Sequence, residues 1–139
     1  MNNGEKGENM NLNRFIGNSQ LSVISKLARQ GEEREYFKNL ILELKETIKT
    51  MPKTYETDGQ GSEAIAMLHY FKDGSDWYII EKDMEEEQVQ AFGFTCLNGD
   101  KQNAELGYIN IEELIRYGVE LDLYYKPEKI GDIKARFNN

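Results

Sequence analysis

Residues 64–83 read AIAMLHYFKDGSDWYIIEKD, residues 90–100 read QAFGFTCLNGD, and residues 104–127 read AELGYINIEELIRYGVELDLYYKP. Most of the chain's aromatic residues fall in these runs, between short, sharp turns. Residues 64–71 alternate as a strand does, with Ile65, Met67, His69 and Phe71 on one side and Ala66, Leu68 and Tyr70 on the other. Lys72-Asp73-Gly74-Ser75 predicts a tight turn with Gly74 at positive φ, and residues 77–81 return as the second arm of a hairpin. Residues 82–87 (KDMEEE) read as a charged loop. Residues 89–97 form a third strand, in which Gly93 signals a bulge or a close backbone approach. Asn98-Gly99-Asp100 is a further turn, and residues 105–109 a fourth strand. Asn110 caps a short helix, with Glu113 at capping-box spacing and Gly118 just past its end. Residues 120–125 form the fifth strand, closed by Lys126-Pro127. The tail from Glu128 to Phe137 has the makings of a last helical turn or two.

Outward from this stretch the period becomes helical. Asn18 or Ser19 offers an N-cap for Leu21, Ile24, Leu27 and Ala28. A second helix begins near Glu32, with Phe37, Leu40, Ile41, Leu44 and Ile48 on one stripe. Met51-Pro52 stops it. The predicted architecture is α+β: an N-terminal helical hairpin (18–52) covers one face of an antiparallel sheet of about five strands (64–127), with a short helix before the last strand. Residues 1–17 are expected to be a disordered tail and residues 18–139 one domain. Residues 53–63 (KTYETDGQGSE) are a polar connector.

At 139 residues the chain is long enough to bury a core without disulfides or metal. Its single cysteine, Cys96, excludes an intrachain disulfide. No apolar run reaches the roughly 20 residues of a membrane helix, and residues 1–15 lack the apolar core of a signal peptide. A cytoplasmic protein without a membrane association is the expectation. The formal net charge of −8 disfavours binding to duplex DNA. It suits basic partners, including the nucleic-acid grooves of other proteins, although acidity also simply keeps proteins soluble.

The chemistry-bearing residues are few. His69 is the only histidine, so a catalytic triad would have to use it; a hydrogen-bonded strand histidine is the stronger reading. Cys96 could pair with it as a nucleophile, but a cysteine in an apolar strand is generally inert. Glu81 and Asp83 share a face if their strand continues, and Glu105 or Asp122 could join them around a hard divalent ion. The only Glu-x-Lys, Glu43-Leu44-Lys45, lies mid-helix, where a nuclease of that type has no use for it. Gly59-Gln60-Gly61 is too short for a phosphate loop. Tyr70, Trp77, Tyr78, Phe92, Phe94, Tyr108, Tyr124 and Tyr125 could stack single-stranded bases, though core packing is their commoner use. These motifs call for no cofactor.

The run at residues 30–59 (QGEEREYFKNLILELKETIKTMPKTYETDG), with LHYFKDGSDWYIIEKD, QAFGFTCLNGD, AELGYINIEEL and ELDLYYKP, resembles a family of small proteins of unknown function carried by plasmids, phages and integrative elements. The resemblance spans about residues 30–127. Its recurring positions, Trp77, Glu81, Gly93, Gly107, Tyr108 and Pro127, read as turns and core. It brings no catalytic set and implies a context: genes of mobile DNA near replication, transfer or antirestriction functions. Three expectations follow. The first is a non-catalytic inhibitor of a host defence complex (restriction or CRISPR), binding through Asp83, Glu85, Glu86, Glu87, Glu112 and Glu113. The second is an accessory DNA-processing protein that binds single strands or a replication or transfer protein, for which Trp77 or Tyr124 must be exposed. The third is a metal-dependent hydrolase using Glu81 and Asp83.

Overall fold

A computed structural model describes residues 12–137. The helical hairpin is α1 (Asn18–Gln30) and α2 (Arg34–Thr50). Gly17 occupies the cap position of α1 without a side-chain bond, in place of the expected Asn18 or Ser19. The hairpin leads through a connector to β1 (Ile65–Ala66), β2 (Leu68–Lys72), β3 (Ser75–Glu81), β4 (Ala91–Cys96) and β5 (Glu105–Ile109). Then come α3 (Ile111–Arg116), β6 (Glu120–Leu121), β7 (Glu128–Lys129) and α4 (Ile130–Phe137). Five strands form one antiparallel sheet in the order β5-β4-β3-β2-β6, and β1 pairs with β7 apart from it. The predicted α+β architecture is the observed one.

The local signals act as their chemistry requires. Lys72 pairs with Ser75 across a two-residue turn in which Asp73 and Gly74 both have positive φ, the twist that suits a hairpin. The Asn110 side chain accepts the Glu113 N–H at 3.0 Å, and Gly118 takes φ +77° after α3. At Gly93 a Cβ would stand 1.9 Å from the Tyr78 carbonyl oxygen. The opposing strand shifts register there, between Ile79 and Glu81. Bulge and close approach thus occur together.

Four expectations are corrected. The tail ends sooner than residue 17: Leu12–Arg14 form a 3-10 turn, and Leu12, Phe15 and Ile16 are buried. Tyr70 donates its hydroxyl to the Phe15 carbonyl, which pins this segment to the sheet; residues 1–11 lie outside the described residues. The strand expected over 64–71 is broken at Met67. Ala64 and Ala66 pack in one apolar cluster and Leu68 and Tyr70 in the other, because the chain changes sheets there. The strand expected over 120–125 stops at Leu121, where the Asp122 carboxylate accepts the Tyr124 N–H at 3.1 Å and turns the chain.

The last correction concerns layering. The hairpin, the residue 12–16 segment and α3 cover one sheet face, contributing Ile24, Ile48, Phe15, Ile16 and Ile111 to a cluster with Leu68, Tyr70 and Ile79. The other face is covered as well. Ile130 and Ile133 of α4 are buried against Ala66, Tyr78, Ile80 and Phe94, each contributing about 2 kcal/mol of apolar burial. Helices therefore flank the sheet on both sides.

Candidate functional site

Glu81 and Asp83, the pair singled out for metal chemistry, serve the fold. Glu81 is 2% exposed. Its carboxylate accepts the Tyr55 N–H at 2.9 Å, the Thr57 N–H at 2.8 Å and the Thr57 hydroxyl at 2.5 Å. It thereby ties the connector to the end of β3. Asp83 is also buried and accepts the N–H groups of Glu85, Val89 and Gln90. Neither Glu105 nor Asp122 joins them: Glu105 is exposed on β5, and Asp122 is bonded to His69. Among the described residues no group of three or more His, Cys, Asp or Glu side chains is placed to hold a metal ion. Lys82, expected in a solvated loop, is buried too. Its ammonium donates to the Ile48 and Lys49 carbonyls at the C-terminus of α2, where cations are favoured. Burial, and then the nearby Lys53 charge, hold its pKa below the usual lysine value.

The rest of the acidic loop is exposed. Gln88, buried at φ +60°, accepts the Asp83 N–H at 2.8 Å and donates to the Glu85 carbonyl at 3.0 Å. With Asp83 it winds the loop tightly and leaves Glu85, Glu86 and Glu87 on its outside. The Ile111 N–H donates to the Gln88 carbonyl at 2.9 Å, so α3 docks directly on this loop. Glu87 and Glu112 consequently line one small cleft with Arg14. Glu113 is exposed on the same short helix, and Glu112 pairs with Arg116 at 3.1 Å. Glu87 and Glu112, separate in sequence, thus meet at one acidic end, whereas Glu113 lines a different cleft with Lys72 and Trp77. Asp83, expected among the contact residues, is instead the hub that shapes the acidic end.

His69 of β2 ties β3 to the turn that follows β6. Its Nδ1 lies 3.0 Å from Asp122 and its Nε2 2.7 Å from Asp76, and its ring stacks on Tyr78 at 4.5 Å. Both ring nitrogens are engaged, which leaves neither free as a general base. Cys96 sits opposite Asp76 in the next strand, fully buried. Burial first, and then the Asp76 and Asp100 charges, raise its pKa, the reverse of what an activated thiol needs. Of the aromatic residues considered for base stacking, Tyr70, Tyr78 and Phe94 are buried and Trp77, Phe92 and Tyr125 half-buried; Tyr108 and Tyr124 are exposed. Tyr108 bonds its hydroxyl to that of Tyr55 at 2.7 Å.

One feature escapes a reading by local pattern. Among the described residues, an apolar groove of about 850 Å3 runs between α1 and residues 115–124. Val23, 59% exposed, and Tyr124, 62% exposed, stand at its mouth; Ile24, Leu27, Phe37 and Leu123 line its walls. Ile115 belongs both to this groove and to the acidic cleft of Glu87 and Glu112, so the two surfaces meet across α3. Beside the groove, Gln20 bonds both backbone groups of Leu121. Its amide donates to the Leu121 carbonyl at 2.7 Å and accepts the Leu121 N–H at 3.0 Å. The β6 edge of the sheet is thereby occupied by a side chain. No helix among the described residues is long and apolar enough to cross a membrane.

Comparison of the chain with protein-family models, with curated proteins and with solved structures gives no match. Its surfaces are therefore the basis for a functional reading.

Proposed function

We propose that the protein is a non-catalytic interaction module of a mobile genetic element. It acts in the cytoplasm as an acidic antagonist of a nucleic-acid-targeting host complex, a restriction enzyme or CRISPR effector. The observation that carries this reading is the acidic end, where a loop wound on buried Asp83 and Gln88 presents Glu85, Glu86 and Glu87, with Glu112 in the same cleft as Glu87. A carboxylate array on a pre-wound loop loses little conformational entropy on docking. It offers a basic groove the charge that a nucleic-acid backbone would bring. The net charge of −8 steers the same encounter, and the family resemblance supplies the setting.

A second reading has its own observation. Tyr124 is 62% exposed, as an accessory protein that stacks single-stranded bases requires. The net charge of −8 weighs against that use, since such platforms sit in basic grooves. The two readings part in one experiment. The tagged protein is used to capture host proteins from a nuclease-treated lysate, beside a variant carrying Glu85→Lys, Glu86→Lys and Glu87→Lys. The antagonist reading predicts a stoichiometric nucleic-acid-binding complex that survives nuclease and is lost with the variant. Recovery of nucleic acid, or of replication proteins that nuclease removes, would move the assignment to the second reading.

A further inference from the structure

We propose that the cleft between the β2–β3 turn and the C-terminal half of α3 binds a guanidinium group, carried by a small organic cation or by an arginine side chain of a partner protein. This surface is separate from the loop of Glu85, Glu86 and Glu87, and the inference does not depend on the role given to that loop.

Three observations define the ligand. The first is size and material. The cleft encloses about 430 Å3, within the roughly 300–1,000 Å3 of ligand clefts. Its apolar lining includes Trp77, Leu114 and Val119, together with exposed Tyr117. Trp77 is half-buried, so part of its indole stays open to solvent. Indole and phenol rings attract cations through their negative faces. The second observation is charge. Asp73 of the turn and Glu113 of α3 also line the cleft. Both are exposed, and among the described residues neither carboxylate has a hydrogen-bond or ion-pair partner. The one cation in the lining is Lys72, whose ammonium donates to the Tyr117 carbonyl at 2.6 Å. Two carboxylates against one ammonium leave the cleft net negative, which disfavours an anion and favours a cation.

The third observation is that the walls are fixed to one another. The Lys72–Tyr117 bond ties the hairpin turn to the end of α3. The Ser75 hydroxyl accepts the Asn98 N–H at 2.8 Å and ties the same turn to the one after β4. The two acids therefore stand on separate elements that are already held together, and little ordering remains to be done when a ligand enters. Among organic cations this combination suits guanidinium. It is planar, weakly hydrated and able to stack on a ring while its fork of N–H groups reaches carboxylates. An ammonium is a compact, strongly hydrated charge that gains less from a ring in an open cleft.

Trp77 is the only tryptophan, so its fluorescence reads the cleft directly. The full chain is titrated at constant ionic strength with ethylguanidinium, with ethylammonium, with acetate and with a short neutral peptide carrying one central arginine. The expected result is a saturable change in emission with a midpoint of about 1–10 mM for the guanidinium ligands, and binding of ethylammonium weaker by about fivefold or more. The double variant Asp73→Asn/Glu113→Gln should weaken guanidinium binding about tenfold or more. Its melting temperature should be unchanged, because both positions are exposed and asparagine suits the positive φ of residue 73. Tyr117→Leu should weaken binding about threefold. A lower midpoint for the arginine peptide than for ethylguanidinium assigns the site to a partner's side chain; equal midpoints, or a preference for the free cation, assign it to a small ligand. The Glu85/Glu86/Glu87 triple lysine variant should respond as the wild type does, which separates this inference from the role given to the acidic end. No saturable change below about 20 mM would overturn the proposal. So would an equal response to ethylammonium or to acetate, or a response that the double variant retains in full.

Discussion

Glu81 shows how one buried carboxylate can be mistaken for chemistry. It stands two residues from another acid, as a metal site would have it. Yet its oxygens accept three donors from Tyr55 and Thr57. Removing the acceptor leaves the two buried Thr57 donors and the half-buried Tyr55 N–H unpaired. Glu81→Ala should therefore cost about 3 kcal/mol, read as a lower urea midpoint, and Glu81→Gln, which keeps one acceptor, about half. A Glu81→Ala protein as stable as wild type would show that the connector is not held this way. Asp83 carries the same lesson: in sequence it belongs to a run of acids that looks solvated, and only the three N–H groups converging on it reveal its inward role.

At the scale of the element, Gly93 and Gly107 make a matched pair. They face each other across β4 and β5. A Cβ at Gly93 would run into the Tyr78 carbonyl, whereas a Cβ at Gly107 meets nothing within 4 Å. Gly93→Ala should lose at least about 3 kcal/mol or fail to fold. Gly107→Ala should change stability by no more than about 0.5 kcal/mol, measured by thermal melting. The role of Gly93 was legible in the sequence because a glycine amid Phe92, Phe94 and Thr95 has few other uses. The helix caps at Asn110 and Gly118 were legible for a similar reason: their chemistry is local. The Gln20 bond to Leu121 was not, since the partners lie 101 residues apart and a glutamine on a helix surface carries no pattern. Nor was the groove, whose walls come from segments as far apart in sequence as α1 and residues 115–124. Gln20→Ala should free the β6 edge. The expected outcome is a loss of about 1–2 kcal/mol and concentration-dependent association in light scattering, as open edges promote. A variant that remains monomeric at full stability would contradict the edge-capping role.

For the whole molecule, burial on both faces of the sheet sets the alkaline limit. Desolvation raises the hydroxyl pKa values of Tyr70, Tyr78 and Tyr125 above the usual 10.0, and that of the Cys96 thiol above 9.0. The unfolded chain loses these protons first, so the folded state binds more of them and stability falls as pH rises past about 9 to 10. Lys82 acts in the opposite sense. Its folded pKa lies below 10.5, so its contribution rises with pH up to that value, but it is one group against four. Urea midpoints should therefore fall between about pH 9 and pH 11; a rising midpoint over that window would mean that these hydroxyls are hydrated.

The acidic end is also a property of the whole molecule, since it exists only where α3 seats on the 82–90 loop. Its proposed use is to take the place of nucleic acid on a basic protein surface, and competition tests this most directly. The captured host complex is loaded with the protein and challenged with increasing amounts of its own nucleic-acid substrate, the two ligands being followed by separate labels. Mutual exclusion, with displacement of each by the other and a marked weakening for the Glu85/Glu86/Glu87 lysine variant, is the predicted result. A stable complex holding both ligands at once would contradict it.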